Sequence, residues 1–225
     1  MISRRQKRTI EQVLNIFETS TPEGKYHVVA VNKDGANSSR QISYGRSQTT
    51  EQGNLNVLLE RYIANNGIFA PQFIPYLPKI KVEPLADDTE FKSLLKQSAL
   101  RDPIMRETQD EFFEQLYYQP AYHFFKGNQF RLPLSMLVIY DSYIHSGHIP
   151  PYLRNRFPER TPLNGGKEEA WINAYVNTRH DWLARHTKLI LRNTVYRTNF
   201  FKQQIHEGNW KLKLPVVVRG VELWP

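Results

Sequence analysis

The sequence contains no cysteine among its 225 residues. Disulfide bonds, thiolate nucleophiles and cysteine-ligated zinc sites are therefore excluded. The seven histidines show no HExxH or comparable ligand spacing. His145 and His148 are close in sequence, but Gly147 and two nearby prolines indicate the end of a helix there. We therefore expect no bound metal and no cofactor.

Long apolar runs are also absent. No segment is long and apolar enough to span a bilayer, so we expect no membrane insertion. The N-terminus carries basic residues but lacks the apolar segment and small-residue cleavage site of a classical signal peptide. We therefore expect action in the periplasm or outside the cell after specialised export or release. A chain that stays inside the cell, or that is part of a longer protein, is the alternative.

Positive charge is in excess, with 30 Lys and Arg against 22 Asp and Glu and a net charge of +8. A basic surface favours an anionic partner, such as nucleic acid, an acidic membrane surface or an anionic polysaccharide. The basic cluster at positions 4–8 is followed at once by an amphipathic helix. We interpret this cluster as the solvated start of that helix and expect no nucleic-acid partner.

Hydrophobic periodicity organises the N-terminal part of the chain. The predicted elements are a helix over Ile10–Phe17, a strand over Tyr26–Val31, a turn at Asp34–Gly35, a strand over Arg40–Gly45 and a helix over Gly53–Tyr62. The two strands form a hairpin with a long loop.

The rest of the chain is mainly helical and aromatic. The predicted elements there are helices over 111–125 (interrupted at Pro120), 134–144, 168–185 and 189–206, a long loop over 150–167 and an extended tail over 210–221. The helix over 134–144 is almost entirely apolar and should be buried at the centre. These patterns predict an α+β, mostly helical fold for residues 1–225, a single domain in two lobes with a small β-hairpin lobe and a cleft between the lobes.

Glu18 and Asp34 are the candidate catalytic residues. Glu18 follows the apolar face of the first helix, where desolvation favours a protonated carboxyl. Asp34 lies in the hairpin turn. Carboxyls in such different environments predict a general acid and a general base for cleavage of a glycosidic bond. The alternatives are a solvated helix-end glutamate and an aspartate that stabilises its own turn.

A polar group follows on the second predicted strand. Its members are Ser43, Tyr44, Arg46, Gln48 and Thr49. We expect Ser43 to hold an attacking water beside Asp34, and the other four to bind substrate. A polar strand edge that faces solvent is the alternative.

Asp141 lies within the apolar helix over 134–144 and should be buried. A buried carboxylate without a partner is costly. Arg179 and Arg197, on the two following helices, are the candidate partners. The result would be a structural salt bridge, a relay that positions Glu18, or both.

The order of these residues resembles the glycoside hydrolase family 46 chitosanases of the lysozyme-like superfamily. The resemblance covers most of the chain and rests on the helix that ends in Glu18, the Asp34–Gly35 hairpin, the strand over 42–45, Tyr140–Asp141 followed by positions 145–147, the stretch over 168–179, Arg197, and positions 207–215. It implies a lysozyme-like fold and a catalytic domain.

The resemblance also implies roles. Glu18 corresponds to the general acid, Asp34 to the base that activates water, and Ser43 to the threonine that orients the water. Asp141 with its two arginines corresponds to the network that supports the acid. The family inverts the anomeric centre, which requires room for a water between the two carboxyls.

The sequence departs from the family in two places. The loop between Asp34 and Ser43 is longer, and Ala36 and Asn37 stand where the family has an arginine, for which Arg40 is the candidate substitute. The stretch over 44–55 is more similar to chitosanase-related cell-wall hydrolase domains of bacterial toxins.

These observations predict an inverting hydrolase of β-1,4-linked amino-sugar chains. The basic charge favours peptidoglycan as substrate, with a lysozyme-like muramidase activity. A toxin domain of this type would also have an immunity or inhibitor protein as partner. A chitosanase is the alternative, for which the cleft should be acidic because chitosan is a polycation. A further alternative is a protein without enzymatic activity, a module that binds glycan or nucleic acid.

Overall fold

The structure is a computed structural model that describes residues 2–46 and 48–225. Its helices, in chain order, are α1 (Arg4–Thr19), α2 (Leu55–Ala64), α3 (Ala70–Phe73), α4 (Thr89–Arg101), α5 (Pro103–Phe113), α6 (Gln119–Gly127), α7 (Pro133–Ser146), α8 (Pro151–Arg154), α9 (Glu168–Ala184), α10 (Leu189–Arg192) and α11 (Val195–His206). Its strands are β1 (Val29–Asn32), β2 (Gln41–Tyr44), β3 (Thr49–Thr50), β4 (Val216–Val218) and β5 (Val221–Leu223).

The chain divides into two compact units. The first, here called the discontinuous unit, contains Met1–Pro22 and Gln115–Pro225. The second, called the inserted unit, contains Glu23–Glu114. The mostly helical α+β class predicted from the sequence is confirmed. Within the described part of the chain, no helix combines the length and the apolar character that a membrane span requires.

Helix α1 carries Glu18 in its last turn. The helix begins with a capping box, in which the Ser3 hydroxyl accepts the Gln6 backbone N–H and the Gln6 side chain accepts that of Ser3. Its apolar face is buried up to Phe17. Ser20 takes a left-handed conformation with φ of 62°, which ends the helix. Glu18 is thus fixed just beyond the apolar face, as the sequence predicts.

Helix α7 lies at the centre of the discontinuous unit. Pro133 starts it, and every side chain from Leu134 to Ile139 is 0% exposed. Gly147 ends it in the left-handed region with φ of 75°. The helix packs against α1, α6, α9 and α11. Because α7 is buried from Pro133 to Ser142, Asp141 in its third turn is buried as well.

The sheet of the inserted unit has the antiparallel order β1-β2-β3. Gln41 on β2 is opposite Asn32 on β1, and Ser43 is opposite Ala30 on β1 and Thr50 on β3. Because side chains alternate along a strand, Gln41 and Ser43 project from the same face of β2.

The sequence predicts that the polar residues from Ser43 to Thr49 share one strand. In the structure they do not. Strand β2 ends at Tyr44, and Gly45 turns the chain with φ of 76°. A Cβ atom on Gly45 would lie 2.3 Å from Gln109 Oε1, so the close approach requires glycine. Strand β3 then returns beside β2.

Pro120 explains the helix interruption predicted for residues 111–125. Helix α5 passes into a π-helical segment over Glu114–Tyr118, after which α6 begins with Pro120 in its first turn. Proline lacks a backbone N–H and clashes with the carbonyl four residues earlier. The wider π-helical turn accommodates both effects.

Three C-terminal predictions need correction. The helix expected over 189–206 is divided into α10 and α11, where the Thr194 hydroxyl donates to the Leu191 carbonyl and competes with the backbone. The extended tail contains a hairpin, β4-β5, because Arg219 and Gly220 both adopt positive φ in a two-residue turn. The loop over 150–167 contains the short helix α8.

Candidate active site

A chain of alternating charges runs through the discontinuous unit. Arg197 Nη2 donates to Glu18 Oε1 at 2.5 Å, and Arg197 Nη1 donates to Asp141 Oδ1 at 2.7 Å. Arg179 Nη1 donates to the other Asp141 oxygen at 2.7 Å. Both arginines named as candidate partners therefore contact Asp141, and one of them also contacts Glu18. We call these four residues the Glu18 network.

The burial of the Glu18 network is graded. The side chain of Asp141 is 0% exposed, that of Arg179 is 2%, that of Arg197 is 5% and that of Glu18 is 12%. Glu18 is therefore the end of the network that retains contact with solvent. Since charges buried to this extent are tolerated only when they are paired, loss of any member removes an ion-pair partner from at least one other buried charge.

Aromatic rings hold the Arg197 guanidinium in place. Its central carbon lies 5.4 Å from the centroid of the Phe17 ring and 5.6 Å from that of Tyr196. The Tyr196 hydroxyl donates to the Phe17 carbonyl at 3.0 Å, which ties α11 to the end of α1. Cation–π contacts and this hydrogen bond restrict the orientations in which Arg197 can present Nη2 to Glu18.

The electrostatics keep the centre of the network charged. Burial alone would raise the pKa of Asp141, but the guanidinium groups of Arg179 and Arg197 outweigh burial and lower it. Burial likewise opposes the charge on Arg197, yet Glu18 and Asp141 hold its pKa well above the ordinary value. Asp141 therefore acts as a permanent anion that fixes both arginines.

His145 is influenced by the charges of the Glu18 network. From the sequence it was predicted only as part of a helix end. It lies one turn after Asp141 on α7. Burial, followed by the charges of Arg179 and Arg197, lowers the pKa of His145 to about 3, although Asp141 opposes the shift. Its Nδ1 atom is buried and has no hydrogen-bond partner among the described residues. The four-residue spacing from Asp141 was the available signal.

Asp34 lies in the inserted unit, in the exposed loop between β1 and β2. Gln41 Nε2 donates to Asp34 Oδ1 at 2.9 Å. Gln41 itself is 5% exposed, because it is the first residue of the central strand. An exposed carboxylate is thus held from one side by a buried amide. Gln41 was not predicted as a site residue, since a single glutamine at a strand end has no distinctive pattern.

Ser43 lies on the same face of β2 as Gln41. Asn32 Nδ2 donates to its hydroxyl oxygen at 3.3 Å, and the residue is 3% exposed. The hydroxyl hydrogen is left for another acceptor. The water-orienting role of Ser43 stays a prediction.

Two of the predicted substrate-binding residues are core residues instead. Tyr44 is 0% exposed, and its hydroxyl donates to the Leu95 carbonyl at 2.7 Å. Burial raises the pKa of Tyr44. Thr49 is 4% exposed and lies opposite Tyr44 in the β2-β3 pairing. Their side chains stabilise the sheet of the inserted unit and present no surface to a ligand.

The other two predicted substrate-binding residues, Arg46 and Gln48, form contacts within the inserted unit. Arg46 is buried, its Nη1 forms an ion pair with Asp110, and its guanidinium carbon lies 5.1 Å from the Phe113 ring centroid. These contacts give Arg46 a structural role in the inserted unit, and its substrate-binding role stays a prediction. Gln48 is half-buried, and its Nε2 donates to the Gly45 carbonyl at 2.9 Å, which stabilises the turn.

Across residues 2–46 and 48–225, no group of three or more His, Asp and Glu side chains is arranged to hold a metal ion. The Glu18 network provides carboxyls and guanidinium groups. The residues around Asp34 provide a further carboxyl and the Ser43 hydroxyl. Carboxyls can act as general acids and general bases.

Comparisons with known proteins agree with this chemistry. The sequence pattern of glycosyl hydrolase family 46 matches residues 12–216. A chitosanase from Bacillus subtilis (strain 168) is 28% identical over 98% of this chain and 84% of its own length.

Two solved structures share the fold. Native chitosanase from Bacillus subtilis MY002 has a TM-score of 0.84 and 24% identity, with 100% of both chains covered. A family 46 chitosanase from Gynuella sunshinyii, solved in complex with chitotetraose, has a TM-score of 0.84 and 22% identity, with 100% of this chain and 98% of that chain covered.

The family model spans most of the sequence, and the structural likeness spans all of it. The family resemblance found in the sequence is thereby confirmed, and a purely non-catalytic module is not supported. The chain is a glycoside hydrolase that belongs to glycosyl hydrolase family 46.

Proposed function

We propose that this enzyme hydrolyses the β-1,4 bonds of chitosan. The similar proteins described above are named chitosanases, and one is solved with chitotetraose. This support favours the alternative in the sequence analysis over its first choice, peptidoglycan. The observation that carries a hydrolytic role for this chain is the Glu18 carboxyl, held at the outer end of a buried ion-pair chain.

Glu18 is the proton donor in this proposal. Arg197 occupies its Oε1 atom, while Oε2 has no hydrogen bond from any described residue. The second oxygen is therefore available to carry a proton to the glycosidic oxygen. The aromatic contacts of Arg197 and its bond to Asp141 limit motion of the carboxyl, and such positioning accounts for much of general-acid catalysis.

Asp34 is the general base. Its exposure gives water access, and the Gln41 hydrogen bond holds the Oδ1 atom of the carboxyl. We propose that Ser43 donates its hydroxyl hydrogen to the attacking water or to a substrate oxygen. In the single displacement, water attacks the anomeric carbon, Asp34 accepts the water proton and Glu18 protonates the departing oxygen. The anomeric configuration is inverted.

Peptidoglycan remains a second candidate substrate because of one observation. The chain carries a net charge of +8, whereas chitosan is itself a polycation below the pKa of its amines. A basic protein is attracted to an anionic wall polymer at long range. Local acidic groups would have to overcome this charge for chitosan to bind.

We further propose that the enzyme acts where such polymers are found, in the periplasm or outside the cell. Export by a specialised route or release from the cell would bring it there. Detection of the protein in fractions of the producing cell tests this location. Confinement to the cytosol throughout growth would contradict it.

One experiment separates the two substrates. Purified enzyme is incubated with chitosan and, in parallel, with purified sacculi, and the soluble fragments are analysed by mass spectrometry. The proposal predicts glucosamine oligomers from chitosan. Release of disaccharide-peptides from sacculi alone would assign peptidoglycan, and absence of fragments from both polymers would contradict the proposed substrate class.

A further inference from the structure

Gln41 connects Asp34 to a second part of the inserted unit. Its Nε2 donates to Asp34 Oδ1 at 2.9 Å, and its Oε1 accepts the backbone N–H of Gln52 at 3.1 Å. The side chain is 5% exposed. A buried amide with partners at both ends has one favourable orientation.

The Gln52 contact fixes which end of the Gln41 amide faces Asp34. A backbone N–H can only donate, so it must meet the amide oxygen. The NH₂ group is therefore directed at Asp34, where it requires an acceptor. The Oδ1 atom of Asp34 provides that acceptor.

Gln52 also fastens the loop that follows Asp34. Its Oε1 accepts the Ala36 backbone N–H at 2.7 Å, and its Nε2 donates to the Ser39 hydroxyl at 2.8 Å. The backbone of the loop is further closed by a hydrogen bond from Gly35 N to the Ser39 carbonyl. Two glutamines thus restrain an exposed loop that would otherwise leave the Asp34 carboxyl free to rotate.

We propose that Gln41 is a positioning residue for the general base, and that Gln52 sets the orientation of its amide. The proposal rests on the proposed function, in which Asp34 activates water. Gln41 occupies Oδ1 and leaves Oδ2, which has no hydrogen bond from a described residue, for the attacking water.

The substitution Gln41→Glu tests this role directly. The new side chain has the same shape and still accepts the Gln52 N–H, but it directs an oxygen instead of an N–H at Asp34. We expect kcat at neutral pH to fall about tenfold or more, with KM changed by less than about twofold.

Gln72→Glu is the matched control, because Gln72 is exposed on α3 of the same unit. It adds the same charge and should leave kcat and KM unchanged. If Gln41→Glu lowered only the thermal unfolding midpoint and kept the wild-type kcat, Gln41 would be merely structural and the proposal would be overturned.

A readout without turnover separates this proposal from the proposed function. The side-chain NH₂ signals of Gln41 are compared by NMR in the wild type and in Asp34→Ala. We expect them to shift and to exchange faster with solvent once the acceptor is removed, and unchanged signals would overturn the Gln41 role. Asp34→Asn tests the base independently: full activity in that variant refutes the base assignment, whatever Gln41 does.

Discussion

The Arg197 guanidinium binds the Glu18 carboxylate at 2.5 Å, and the same guanidinium is held by the fully buried Asp141. The proposed proton donor is therefore not positioned by its own helix alone. Its geometry depends on α7 and α11, and its partner arginine depends on an anion to which solvent has no access. We therefore expect the Arg197 side chain to contribute both to the stability of the fold and to catalysis.

Arg197→Ala should impair both properties. Its removal leaves Asp141 with a single partner and Glu18 with none, and breaking a buried ion pair costs about 3–5 kcal/mol. We expect a corresponding loss in the free energy of unfolding, measured by urea denaturation, and a fall in kcat under conditions where the variant is folded.

Arg192→Ala is the control for this prediction, because Arg192 is exposed at the end of α10. Its free energy of unfolding should change by less than about 0.5 kcal/mol. The network account would be wrong if both arginine variants behaved alike.

Glu18→Gln should separate binding from turnover. Glutamine has the same shape and can still accept the Arg197 N–H, so the fold should be retained. It cannot donate a proton with the acidity required, and kcat should fall about 10²- to 10⁴-fold while oligosaccharide binding persists. Calorimetric titration with a chitosan oligomer and a reducing-end assay measure the two quantities. Glu23→Gln, at an exposed position, should keep full activity.

Asp34→Asn should abolish hydrolysis with little effect on stability. Asparagine cannot accept a proton from water, but its position is exposed and its amide oxygen can still accept from Gln41. Asp87→Asn is the control, since it removes a surface ion pair with Arg40 in the same unit. Such pairs contribute about 0–1 kcal/mol, so both variants should unfold near the wild-type midpoint. Retained turnover in Asp34→Asn would assign the base elsewhere.

His145 should make the fold sensitive to mild acid. Its pKa of about 3 in the folded state lies below the ordinary value of 6.5, so the unfolded chain takes up the proton first as the pH falls. The stability associated with the neutral imidazole is fully present above pH 6.5 and is lost progressively towards pH 3. We expect a loss of about 2 kcal/mol between pH 6.5 and pH 5, measured by denaturant unfolding.

His145→Gln should remove most of that slope, because glutamine does not titrate. His206→Gln, at the exposed end of α11, should keep it. An identical pH dependence in wild type and His145→Gln would show that other groups produce the effect.

The N-terminal elements follow from local patterns. The apolar face of α1 and the position of Glu18 after it follow from hydrophobic periodicity. The left-handed Ser20 that ends the helix was not predicted. The ion pairs of Asp141 were also predictable, because a charge in an apolar helix requires partners on neighbouring helices. The family resemblance supplied the role of each.

The polar segment after Ser43 could not be interpreted from alternation alone. The turn at Gly45 depends on a contact with Gln109, which is distant in sequence. Once the chain reverses there, Tyr44 and Thr49 become neighbours in the sheet and are buried. Tertiary contacts of this kind override local strand patterns.

Gln41 and His145 were missed for a related reason. Each acquires its place from a partner in three dimensions: Asp34 and Gln52 for the glutamine, and the charges around Asp141 for the histidine. Neither residue forms part of a motif with a fixed chemical signature. Only the spacing of His145 from Asp141 along α7 pointed to its surroundings.

The anomeric configuration of the first product shows whether Glu18 and Asp34 act as the acid and base of an inverting hydrolase. A chitosan oligomer is hydrolysed by concentrated enzyme in an NMR tube, and the reducing-end anomeric signals are recorded before mutarotation. A proton donor at Glu18 and a water-activating base at Asp34 predict that the α-anomer forms first from the β-linked substrate. Initial formation of the β-anomer would require a covalent intermediate and would contradict the account.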